Sequence, residues 1–368
     1  MITIIDSPSA VSLQGEPFLW RVQSSLTVAN LRILAEAVND QYDVARVNNP
    51  LDEVLFELRD YYKSELSSVL NYGAVALHDD VCKDFSVSFF EYYGTPAQLG
   101  SGTIETRKIL MGKIPRWKQF WFTQSGYNGI EGWLVVGNHI WLTWYPEQPK
   151  KVLPDQPEVI YFIARSAKTY NLSISIEYSD GTTLVHDPGI AIATALYQVA
   201  SIPVGYNKLG IGTVDPNKTV VSYTISFDGG TFPRTYVVDF KSYRDVKYII
   251  FRNTLGGYDV LACTGEADET TEIERDISER VFDMANPNRL NKTVYRIQNT
   301  AITKVNTGWL QPNEKEWLND LFESEEVYEL VGAYKQPIML RNTSFDRSQR
   351  SYEPGSVELE YEKLYITA

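Results

Sequence analysis

Alternating segments closed by Asp-Gly turns constrain this chain more than any other feature. Asn171-Leu172-Ser173-Ile174-Ser175-Ile176-Glu177-Tyr178 alternates polar and apolar residues, which sends every second side chain to one buried face. Ser179-Asp180-Gly181 interrupts it, and Thr182-Thr183-Leu184-Val185 resumes extended chain. Asp-Gly between two such runs is a strong hairpin signal, because both residues tolerate the positive φ that a tight turn requires. The device returns as Val221 to Phe227, then Asp228-Gly229-Gly230, then Thr235 to Phe240. From about 157 to 250 the chain reads as short strands between turn residues, which predicts a β-sandwich of immunoglobulin-like size.

Composition agrees with that class. The chain has 24 Tyr, 15 Phe and 8 Trp against 4 Met, and aromatic rings suit the half-buried face of a pleated sheet. At 368 residues it exceeds one comfortable core. Pro146, Pro149, Pro154 and Pro157 mark a boundary near 150. A softer one near 250 follows Asn253-Thr254-Leu255-Gly256-Gly257. The expected fold is mainly β: a multi-domain β-sandwich, immunoglobulin-like or jelly-roll-like, with a few short helices. Residues 1–150 form a mixed, mainly β domain, 151–250 a sandwich, and 251–368 a C-terminal β domain.

Within the first domain, Phe18 to Val22 and Phe85 to Tyr92 read as strands. Leu51 to Leu70 carries Leu55, Leu58, Tyr62, Leu66 and Leu70, close to a helical stripe, and Pro50, Asp52 and Glu53 suit a helix start. Ala29 to Val38 fits helix or strand. In the last third, Pro312 to Phe322 is a predicted helix with acids in its first turn and Trp317, Leu318, Leu321 and Phe322 on one face. Strands at Pro337 to Leu340 and Val357 to Tyr365 close the chain.

Charge and motif content exclude several chemistries. With 34 Lys and Arg against 47 Asp and Glu, the net charge of −13 opposes nucleic-acid binding, which needs a basic face. No apolar run approaches the roughly 20 residues that span a bilayer. The start, Met1 to Pro8, lacks the basic and apolar regions of a signal peptide, and two cysteines make no disulfide framework. These readings lead to the expectation of a protein made and kept in a reducing cytoplasm unless it leaves by cell lysis.

The three histidines, His78, His139 and His186, form no metal-ligand spacing, and neither a metal nor a cofactor is expected. His78-Asp79-Asp80 offers carboxylates that could clamp a cation, but an acid-rich turn between strands more often faces water. No nucleophile elbow exists, since Gly100-Ser101-Gly102 reads as a flexible turn, and Cys82 and Cys263 read as small core residues. Gly210-Ile211-Gly212 and Gly112-Lys113 both lack the rest of a phosphate loop. Asp268, Glu269, Glu272, Glu274 and Asp276 supply the carboxylates that a glycosidase needs, but such a run more often is a solvated loop or strand face.

The most suggestive stretch is aromatic: Trp117, Phe120, Trp121, Phe122, Tyr127, Trp133, Trp141, Trp144 and Tyr145. Exposed, these rings stack on sugar faces or form an interface hot spot; buried, they are core. Trp117, Trp121, Tyr127, Trp133 and Trp144 are the candidate binding residues. Trp141 and Thr143 against Leu142 and Trp144 fit a strand divided between core and surface.

Three stretches carry a family resemblance. They are Trp141-Leu142-Thr143-Trp144 through Asp155 to Phe162; Phe251 to Asp259 with Thr264-Gly265; and Thr307-Gly308-Trp309-Leu310 through Trp317, Leu321 and Val327 to Leu330, to Pro337-Ile338. They resemble tail and baseplate-type proteins of tailed phages and prophages of Bacteroidetes, from about 130 to 365. The resemblance implies a virion component assembled in the host cytoplasm, a homo-oligomer touching other tail proteins. A carbohydrate- or receptor-binding protein that engages host surface glycan, and a glycan-cleaving enzyme, are the competing expectations.

Overall fold

The computed structural model describes residues 1–28, 30–37, 42–47, 52–94, 98–127, 129–279, 292–332, 334–342 and 354–364. Strands account for 50% and helices for 12%, so the chain is mainly β and built from several multi-stranded sheets. It divides into two compact units. One comprises Met1–Phe240, Arg252–Asp259 and Asn319–Ser324; the other comprises Lys241–Phe251, Val260–Leu318 and Glu325–Ala368.

The first unit contains two sandwiches. In one, an antiparallel sheet of Ile2–Asp6, Leu19–Ser24 and Glu53–Glu57 packs on a five-stranded sheet. The second sheet runs in the order Val11–Leu13, Gln98–Leu110, Cys82–Tyr93, Arg32–Glu36, Tyr42–Arg46. Alternation makes this core: Trp20 and Val22 from one sheet meet Phe85, Val87 and Phe89 from the other. The Trp20 and Phe56 rings lie 5.5 and 5.7 Å from that of Phe89.

Two expectations fail in this sandwich. The helix read over Leu51 to Leu70 is a strand at Glu53–Glu57, followed by one turn at Arg59–Tyr62 and a 3₁₀ turn at Lys63–Glu65. Val54, Phe56 and Leu58 are buried while Leu55 faces solvent, a period of two that overrides the looser helical stripe. Pairing Trp20 with Phe56 and Val22 with Val54 satisfies the backbone there; Leu51 lies outside the described residues. Gly100-Ser101-Gly102 belongs to the strand Gln98–Leu110 rather than to a turn. Gly102 sits opposite Phe90, and a Cβ there would stand 2.5 Å from that ring. The ambiguous stretch after Ala29 is strand, Arg32–Glu36.

The other sandwich sets Val159–Ile163, Val199–Pro203 and Ala76–His78 against a larger sheet. That sheet runs Lys150–Val152, Thr231–Val238, Val220–Phe227, Lys168–Tyr178, Thr183–His186, and Ala191–Thr194 also pairs with Lys168–Tyr178. Both Asp-Gly hairpins form as read: Gly181 has φ +80°, and Asp228 and Gly229 have φ +48° and +77°. Ile174, Ile176 and Ile225 bury against Ile160, Phe162 and Ile202. Trp141 to Tyr145 does not alternate as a strand would. Leu142, Thr143, Trp144 and Tyr145 are all buried, and Trp141 makes an isolated bridge to Phe162.

The second unit is built on one sheet in the order Tyr258–Cys263, Lys247–Arg252, Val327–Val331, Tyr334–Leu340, Glu358–Lys363, Lys292–Asn306, Ala267–Glu279. The helix read near 312–323 forms at Pro312–Phe322, and its Trp317 ring lies 5.3 Å from Phe251.

Candidate functional site

Among the described residues, two surfaces that gather exposed large apolar side chains bear on the candidate site. The first is aromatic. Pro115 caps the helix Arg116–Gln124, and Gly129–Val135 forms a second short helix after Gly126 and Gly129 turn the chain with positive φ. Trp117 and Trp121 are four residues apart on one face of the first helix. The Lys118 Nζ lies 4.8 Å from the Trp117 ring and 5.5 Å from the Trp121 ring, a double cation–π contact.

Beneath them the rings form a continuous layer. Phe122 lies 5.3 Å from Tyr127 and 6.4 Å from Trp144, and Trp133 lies 5.4 Å from Trp144. Trp133 also stacks on His139 at 4.6 Å, and burial holds that imidazole below its ordinary pKa although Glu147 opposes it. Trp144 is anchored from behind. Its Nε1–H donates to Thr254 Oγ1 at 2.8 Å, and that hydroxyl donates to Asp320 Oδ1 at 2.7 Å.

The structure therefore brings all five candidate residues into one cluster and divides them by depth. Trp133 and Trp144 are 3% and 6% exposed, so they brace the layer and are not themselves available to a ligand. Trp121 is 41% exposed and its neighbour Phe120 73%, with Trp117 and Tyr127 half-buried. Phe120 belongs to the aromatic stretch but not to the five chosen residues, because helix phase, not residue type, decides which ring faces out; Lys118 was no candidate, since only its placement over the two Trp rings gives it a role.

The second surface is an arm. Ala267–Glu279 pairs with Lys292–Asn306 from Ala267 opposite Val305 to Glu279 opposite Lys292. Pairing with Glu358–Lys363 covers Ile302 to Asn306, so among the described residues the distal part is a two-stranded ribbon. Directly opposed residues of an antiparallel pair share a face. One face thus carries Ile273, Arg275 opposite Ile297, and Ile277 opposite Val294. The other carries Glu272, Glu274 opposite Gln298, and Asp276 opposite Arg296. Ile273 and Ile297 are 49% and 59% exposed. The same face continues inward to Thr303 opposite Tyr361, both buried, so the arm extends a core face into solvent.

Asp268, Glu272, Glu274 and Asp276 of the acidic run accordingly share one side of an exposed strand, while Glu269, opposite Thr303, lies on the other. Glu272 pairs with Arg341 at 3.1 Å and Glu269 with Lys363 at 3.8 Å. Other reactive types are engaged inside the fold. His78, in the stretch read as a solvated turn, is buried, and its Nε2 hydrogen-bonds Ser201 Oγ at 2.8 Å. Burial pushes the thiols of Cys82 and Cys263 up to about 12. Lys150 Nζ lies 2.5 Å from the buried Glu158 carboxylate, and Gln156 also donates to it. Among the described residues, no cluster of three or more His, Cys, Asp or Glu is placed to hold a metal, and no helix is long and apolar enough to cross a membrane.

No protein-family model matches the sequence, and no curated protein matches it. A solved structure to which the chain is similar is the Salmonella enterica SafA pilin in complex with the SafB chaperone. The identity is 10%, covering 64% of this chain and 96% of that one, with a TM-score of 0.20. At that score the likeness carries no argument about function.

Proposed function

We propose that this protein is a non-enzymatic structural component of a phage or prophage tail or baseplate. In this reading it is made in the host cytoplasm, self-associates, and contacts other proteins of the particle. The carrying observation is the arm: a ribbon whose Ile273, Ile277, Val294 and Ile297 extend a core face into solvent. An isolated two-stranded hairpin is marginal in water, and a core face left uncovered favours association. The family resemblance of residues 130–365 supplies the kind of particle. Its Asn253-Thr254-Leu255-Gly256-Gly257 stretch is a structural turn, with Gly256 at φ +82° and the Asn253 side chain accepting from the amides of Leu255 and Gly257. Buried cysteines with raised pKa make poor nucleophiles, which favours a non-enzymatic role.

Electron microscopy of the purified full chain tests this reading. Closed particles of uniform size are expected, and a field of single chains at every concentration would contradict it. The aromatic surface favours a second reading, binding of host surface glycan, because Trp121 and Phe120 are exposed beside Lys118. Silence on a glycan array would remove it.

A further inference from the structure

The arm offers an open edge as well as an uncovered face. Among the described residues the backbone of Ala267–Glu279 pairs as a strand with Lys292–Asn306 alone, so its outer amides and carbonyls form a template for one more strand. Side-chain alternation along that edge defines what fits. Over the apolar face the new strand meets Ile273 and Ile277; over the opposite face it meets Glu272, Glu274 and Asp276.

A second copy of the same edge fits poorly wherever its acids overlap. Two-fold antiparallel pairing keeps the faces, so centring it on Arg275 sets Glu274 against Asp276, and centring it on Ile273 sets Glu272 against Glu274. Like charges directly opposite are destabilising. A strand with Lys or Arg at alternate positions reverses each of those contacts, while its Val or Ile residues cover the apolar face.

We propose that the edge Ala267–Glu279 docks a β-strand of a different protein, one in which Lys or Arg alternates with Val or Ile. This deepens the assembly reading and rests on it for the partner being a neighbour in the same particle. Main-chain hydrogen bonds supply the affinity, and the two faces supply the selectivity.

The test uses the full chain and labelled synthetic peptides, read by fluorescence anisotropy. The alternating peptide is Lys-Ile-Lys-Val-Lys-Ile-Lys; a block peptide of the same composition and a counterpart with Glu for every Lys are the controls. The alternating peptide is expected to bind at least about tenfold more tightly than either control. In the Glu274→Lys/Asp276→Lys variant that preference should fall about tenfold, with the Glu counterpart gaining. Both substituted positions are exposed, and circular dichroism confirms the fold. Equal binding of alternating and block peptides overturns the proposal, as does an unchanged preference in the variant. It is also overturned if the variant loses self-association without any peptide, since a second copy then holds the edge. Oligomeric state in the same preparation separates the two readings. A monomer that binds the alternating peptide refutes self-assembly and keeps the edge, whereas an intact oligomer that ignores it refutes the edge alone.

Discussion

Thr254→Val tests the chain of buried hydrogen bonds that braces the aromatic layer. The Thr254 hydroxyl accepts from Trp144 Nε1 at 2.8 Å and donates to Asp320 Oδ1 at 2.7 Å, with all three residues buried. Valine keeps the shape and removes both bonds. Each stranded buried group costs about 1–3 kcal/mol. The added methyl returns about 0.8 kcal/mol. The net expectation is a loss of about 1–5 kcal/mol. The longer contact from the Thr254 amide to Asp320, at 3.4 Å, survives the change and keeps the carboxyl in place. Urea unfolding at pH 7, followed by tryptophan fluorescence, measures it. The expected signature is a lower midpoint with an unchanged slope. A loss under about 0.5 kcal/mol would refute the reasoning, since the hydroxyl would then be doing no more than an average surface group.

Asp320 lies fully buried, and burial raises its pKa well above the ordinary carboxylate value of about 3.9. Its protonated form is favoured in the fold, so the stability it contributes is complete below about pH 4 and is lost as pH rises through the folded value. Buried Glu158 shifts in the same direction, burial outweighing Lys150. Asp320→Asn should therefore gain stability over the wild type on going from pH 4 to pH 8 in thermal unfolding; a constant difference would count against it. Trp121→Ala and Phe120→Ala should each cost less than about 1 kcal/mol, and Trp133→Ala about 3–5 kcal/mol. Equal losses at all three would dissolve the division between exposed and bracing rings. Cys82 and Cys263 should resist a thiol reagent at pH 8 in the native state and react fully in denaturant; rapid native labelling would contradict their burial.

What was legible in the sequence was what is set locally. The Asp180-Gly181 and Asp228-Gly229 hairpins follow from turn residues between alternating runs, and Pro312–Phe322 from its cap and apolar face. Leu51 to Leu70 misled because two periods overlap there. Leu55 and Leu58 continue a helical stripe, yet Val54, Phe56 and Leu58 alternate, and only a partner strand at Leu19–Ser24 decides between them. Trp117 to Trp144 were legible as a cluster but not as layers. Whether Trp121 or Trp133 faces solvent depends on what each helix packs against. The acidic run was legible as solvated but not as strand rather than loop, and the strand's apolar reverse side emerged from pairing Arg275 with Ile297 and Ile277 with Val294. Thr254 and Asp320 are 66 residues apart, and no local pattern joins them.

Multi-angle light scattering of the full chain over a wide concentration range tests the assembly claim most directly. One mass at a whole multiple, two or more, of the 41.9 kDa chain, held on dilution, is the expected result. Replacing Ile273 and Ile297 together with Asp should lower that mass while leaving the circular dichroism spectrum intact. A single-chain mass for the wild type at every concentration would contradict self-assembly.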